Sequence, residues 1–162
     1  MSTNASSTAF VVISTFVSAL QAIPELSDVQ ILYGDTAHAE RENLIIPGDI
    51  HWTDESWAAL GARSREEQYT FDGYCQVRRP GDSQQDANER VGQLVAYVES
   101  TLRSMAANGG MGFSSALAQA FPAPQKAQVT NVQFKPEKLL GWPSDEGERA
   151  QMSFLVQITA RI

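Results

Sequence analysis

Apolar positions recur along this chain with two clear periods, and the switches between them mark out its elements. Phe10, Ile13, Phe16, Val17, Leu20 and Ile23 follow helical spacing and predict a first amphipathic helix, capped by Ser7 or Thr8 and stopped by Pro24. Val29–Tyr33 reads as a short strand and residues 34–43 as a polar loop. Leu44–Trp52 reads as a strand interrupted at Pro47-Gly48, which suggests a bulge or an edge position. The cleanest alternation follows. Tyr69, Phe71, Gly73, Cys75 and Val77 face one way, and Gln68, Thr70, Asp72, Tyr74, Gln76 and Arg78 the other. After Pro80-Gly81-Asp82, with Asp82 or Ser83 as the cap, the period returns to 3.6. Val91, Leu94, Val95, Val98, Leu102 and Met105 form one stripe, and Asn108-Gly109-Gly110 ends it as a left-handed C-cap.

Residues 111–126 read as a loop with a helical turn near Ala116–Phe121. Val129–Phe134 reads as a strand, and Lys135–Arg149, with two prolines and two glycines, as a long exposed loop. Met152, Phe154, Val156, Ile158, Ala160 and Ile162 alternate strictly, so the last strand belongs well inside the sheet. The order of helix, strands, helix, strands predicts an α+β fold, a mainly antiparallel sheet with two principal helices packed on one face. Residues 1–8 read as a loose terminus and 9–162 as one domain, which suits a length of 162 residues.

Composition narrows the function classes. With 43% hydrophobic and 19% charged residues the chain has the make-up of a soluble globular protein. A net charge of −7 leaves no basic footprint for nucleic acid, and Arg78-Arg79 is too small to supply one. No Lys or Arg precedes Arg41, which argues against a secretory signal, and the apolar run 9–23 is polar-interrupted and too short to span a bilayer. One cysteine excludes an intramolecular disulfide and points to a reducing cytoplasm.

Candidate chemistry is sparse. Cys75 could act as a thiolate with His38 or His51, but its place on an apolar strand face suits a small core residue. The two histidines lack the converging ligands that zinc requires, and Asp54, Glu55, Glu66 and Glu67 offer an acid–base pair only if the fold brings them together. Gly109-Gly110-Met111-Gly112 follows a helix, whereas a phosphate cradle precedes one. No catalytic, metal-binding or cofactor-binding set emerges. Trp52, Trp57 and Trp142 fall in or beside expected loops, and tryptophan is enriched at interface hot spots. With Leu60 and Arg63 they make the candidate subunit or partner interface, on the stretches 53–63 and 135–149.

One resemblance runs from about residue 9 to the end. Trp57, the turn Gly61-Ala62-Arg63 and the acidic pair Glu66-Glu67 precede a long strand. An amphipathic helix then ends in Glu99-Ser100-Thr101-Leu102-Arg103, and an alternating final strand closes the chain. In this order of elements the chain resembles the tail terminator (tail completion) proteins of long-tailed, siphovirus-type phages. The resemblance implies a virion structural protein without catalysis, at the tail–neck junction and assembled in the host cytoplasm. Its implied form is a hexameric homo-oligomer ring that caps the tail tube, stops its polymerisation and presents a surface for head–tail joining. The implied partners are the major tail tube protein and head–tail connector or stopper proteins. DNA would cross the lumen without specific binding, and no membrane would be involved. Another neck component, a stopper or adaptor, is the nearest alternative. A small enzyme using Cys75 or the carboxylates is the alternative from another class.

Overall fold

In the computed structural model, residues 7–34, 42–57, 65–79, 83–144 and 147–162 are described. They form α1 (Ala9–Gln21), a 3-10 turn (Pro24–Leu26), β1 (Gln30–Tyr33), β2 (Glu42–Ile46), β3 (Ile50–Trp57), β4 (Arg65–Arg79), α2 (Gln84–Ala120), β5 (Gln128–Ser144) and β6 (Gly147–Arg161). The strands make one sheet in the order β1-β2-β4-β6-β5, with β3 on the same flank of β4 as β2. Only β1 and β2 run parallel, and the other ladders are antiparallel. The fold is thus α+β, with both helices over one face of a mostly antiparallel sheet.

The alternating residues explain which face the helices cover. Tyr69, Phe71, Cys75 and Val77 of β4 are buried, as are Phe154, Val156, Ile158 and Ala160 of β6. Phe16 of α1 meets Phe71 with ring centroids 6.3 Å apart. The expected stripe of α2 is buried throughout, from Val91 to Met105, and joins these residues in one core cluster. β6 lies between β4 and β5, an interior place that its alternation anticipated. Gly73 is the gap in the β4 row. A Cβ there would lie 2.5 Å from the Phe154 ring and 3.0 Å from the Ile45 carbonyl, so the glycine is what lets the ring cross β4.

Local signals also act where expected. Ser83 caps α2, its hydroxyl accepting from the Asp86 N–H while the Asp86 carboxylate accepts from the Ser83 N–H. Asn108, Gly109 and Gly110 all adopt positive φ and break α2. Pro47, Gly48 and Asp49 divide β2 from β3, which pair with consecutive parts of β4.

Five expectations need correction. Residues 135–149 are not a loop: β5 and β6 run through them as paired strands, among the described residues 135–144 and 147–149. Pro136 and Pro143 are tolerated because β5 is the outer strand, where a missing N–H on the solvent side breaks no ladder bond, and a bulge follows Pro136. Residues 111–120 are helical, because the chain resumes a helix after the glycine break and buries Phe113 and Leu117. Phe10 is 56% exposed, while Ala9 and Val12 occupy the buried stripe in its place. Residues 53–57, expected in a loop, belong to β3. Of the two expected caps of α1, Thr8 stands at the N-cap without a side-chain cap bond, while the Ser7 hydroxyl accepts from the Ala9 N–H at 3.1 Å. Ser7 and Thr8 are themselves buried.

Candidate functional site

The residues that could carry chemistry are dispersed. Cys75 is fully buried, and burial pushes its thiol far above the usual range, so it is neutral at physiological pH. His51 is exposed on β3 opposite Thr70, and His38 lies outside the described residues. Among the described residues no group of three His, Cys, Asp or Glu could hold a metal ion.

The two carboxylates whose side chains are described, Glu66 and Glu67, do not converge. Glu66 and Glu67 are adjacent on β4 and so point to opposite faces of the sheet. Glu66 meets Arg161 across the ladder at 3.3 Å in an exposed pair. Glu67 is fully buried at the N-terminus of α1, where its Oε1 accepts from the Thr8 N–H at 2.6 Å and from the Thr8 hydroxyl. Arg65 lies 3.5 Å from its other oxygen. The Thr8 hydroxyl also lies 3.1 Å from the Tyr69 phenol, whose pKa burial pushes well above the usual range. A strand carboxylate thus accepts from the N-cap residue's own N–H, the bond that the third helical side chain makes in a capping box, and meets the positive end of the helix dipole. Asp54 and Glu55 lie on β3 in register with Gln68 and Glu67.

A second long-range anchor joins β2 to α2. The Arg90 guanidinium grips Glu42 with two parallel hydrogen bonds, 2.9 and 2.8 Å, and the carboxylate raises the Arg90 pKa further. Sequence offered no signal for either anchor, because the partners are distant along the chain.

The candidate interface residues distribute along the sheet. Trp52 of β3 is 40% exposed and packs against exposed Phe10 with ring centroids 6.4 Å apart. Trp57 ends β3 in register with Arg65, and Leu60 and Arg63 lie outside the described residues. Trp142, half-buried on β5, is opposite Arg149 on β6, which is opposite Arg78 on β4. Trp52 and Trp142 therefore stand on opposite flanks of the sheet and do not form one patch. Periodicity overlooked the exposed apolar residues Tyr33, Leu139 and Leu140, because the extent of β5 and the edge position of β1 are tertiary facts.

Two open clefts adjoin β5. One of about 400 Å³ runs between α2 and β5, lined by Leu102, Ala106, Val132 and Phe134 with Glu99 and Arg103 at its rim. Another of about 500 Å³ lies by the break in α2, lined by Asn108, Met111, Phe121, Lys126 and Gln128. Gly110 closes the approach of this break to β5, since a Cβ there would lie 2.6 Å from the Val129 carbonyl. No model of a known protein family matches the chain, and no curated protein matches it.

Proposed function

We propose that this chain is a non-catalytic assembly protein, a phage tail terminator whose copies form a ring that caps the tail tube and offers a surface for head–tail joining. What supports it is the placement of the exposed large apolar residues other than Met111, which is on α2. Tyr33 is on β1, Phe10 and Trp52 stand together beside β3, and Leu139 and Leu140 are on β5. They lie at both flanks of one sheet, and a closed ring needs two different patches on each subunit. The separation of buried Cys75 from exposed His51, and of Glu66 from Glu67 across the sheet, adds weight against a hydrolytic or redox centre built from them.

The test is electron microscopy of the protein mixed with the tail-tube protein of the phage that encodes it, beside each protein alone. Rings on the ends of tubes of limited length are the expected result. Tubes that lengthen unchanged and carry no added density would refute the terminator reading. Binding to a portal or adaptor protein in their place would assign the chain to another part of the neck.

A further inference from the structure

The two flanks of the sheet expose opposite charge. The chain has only three lysines, and all lie at one edge: Lys126 just before β5, and Lys135 and Lys138 on it, with Glu137 the one acid among them. All three are exposed, and none makes an ion pair with another described residue. The opposite flank holds acids. Glu25 and Asp28 are exposed ahead of β1, and Asp49 is exposed between β2 and β3. Residues 7–34 and 42–57, which build that flank, contain no Lys or Arg. In the strand order β1-β2-β4-β6-β5 the two edges are four ladder spacings apart, about 19 Å.

From this polarity we propose that copies of the chain join head to tail, the lysine edge at β5 of one seated against the acidic β1–β3 flank of the next. The proposal rests on the ring reading above and names its contact.

Three physical points favour a second copy as the occupant. Like edges repel, so two β5 edges do not pair symmetrically. Lys135, Pro136, Lys138, Pro143 and two bulges also deter strand addition there. Unlike edges attract, and a contact between different patches propagates into a ring or filament where a symmetric one would stop at a dimer. Screening permits this despite the net charge of −7. At physiological salt the Debye length is about 8 Å, shorter than the distance between the edges, so each edge responds to the charges it meets. Leu139 and Leu140 on one side, and Tyr33 on the other, supply apolar area beside the charges.

Two charge-reversed proteins test the contact. Lys126→Glu/Lys135→Glu/Lys138→Glu makes both edges acidic, and Glu25→Lys/Asp49→Lys puts two lysines beside Asp28 where the other flank exposed three acids. Asp28 is left in place because it contributes to the field at Arg90. Self-association is read by sedimentation velocity and native mass spectrometry, with circular dichroism to verify folding. The wild type should assemble, and more weakly at high salt. Each variant alone should lose affinity by roughly tenfold or more, from the summed effect of several surface charges. An equimolar mixture should assemble again, because each edge of one variant then opposes a complementary edge of the other. Either variant associating like the wild type would overturn the proposal. So would a folded mixture that stays monomeric, or a wild type that stays monomeric at every concentration and salt. If a reversed protein fails to fold, the neutral set Lys126→Gln/Lys135→Gln/Lys138→Gln must still weaken association, and unchanged association would refute the contact. Tube capping by the wild type is scored separately. Rings that form through these edges yet leave tubes uncapped would sink the terminator reading and leave the contact standing.

Discussion

The crossing of Phe154 over Gly73 yields a quantitative prediction. Gly73→Ala places a methyl group where the Phe154 ring end and the Ile45 carbonyl already stand, at 2.5 and 3.0 Å. The ring cannot retreat easily, because Phe154 is fully buried and leans on Phe134 with centroids 5.5 Å apart. Overpacking of this kind costs about 1–3 kcal/mol. The lower entropy of an unfolded alanine offsets roughly 0.4–1 kcal/mol of that, so a net loss of about 1–2 kcal/mol is expected. Phe154→Leu alone leaves a void and should cost about 1–2 kcal/mol, less than the roughly 3–5 kcal/mol of a full truncation to alanine. In the double variant the new methyl occupies space that the shortened side chain vacates. The two losses should therefore fall short of additivity by about 1 kcal/mol, within the range seen for residues in contact. Equilibrium urea unfolding of the four proteins measures the cycle. A Gly73→Ala protein as stable as the parent, or strictly additive losses, would refute the crossing geometry.

Other consequences follow from the same structure. Thr8→Val removes the hydroxyl donor from the buried Glu67 carboxylate and should cost about 1–3 kcal/mol by thermal unfolding, with Thr8→Ser largely restoring it; a neutral Thr8→Val would show that Glu67 is not anchored there. Cys75 should resist a thiol reagent in the native protein and react on unfolding, and rapid native labelling would contradict its burial. Because burial raises the folded thiol's pKa, the stability tied to that proton is complete below the unfolded value of about 8.5 and declines above it, by about 1.4 kcal/mol per pH unit. Cys75→Ala should flatten the stability profile between roughly pH 8.5 and 10, ahead of the tyrosines; an unchanged slope would assign the decline to other groups. Trp52→Ala and Trp142→Ala, at positions exposed or half-exposed on opposite flanks, should retain native circular dichroism and weaken assembly or tube capping; unfolding of both would make them core residues.

Much of this fold is a local consequence of sequence. The stripe from Val91 to Met105, the glycine-rich stop at 108–110, the Ser83 cap and the break at Pro47-Gly48 each depend on a few neighbouring residues. Their side-chain spacing and backbone freedom admit one local conformation, so they can be recognised before any partner is known. The alternation of β4 and β6 likewise named the buried face correctly, because a pleat with a period of two can bury only one set of side chains.

Other features were settled only when distant segments met. Pro136 and Pro143 look like loop residues until β5 is known to be the outermost strand, where an absent N–H is harmless. Phe10 fits the helical stripe as well as its neighbours do, but the packing of α1 in the fold buried Ala9 and Val12 and left the larger ring outside. Glu67 reads as a solvated charge, yet a contact across 59 positions put it under a helix N-terminus. The separation of lysines from acids is visible in the chain as mere position. It becomes an edge-to-edge polarity only because the strand order carries β5 and β1 to opposite sides of the sheet, and strand order is a long-range property that no local pattern encodes.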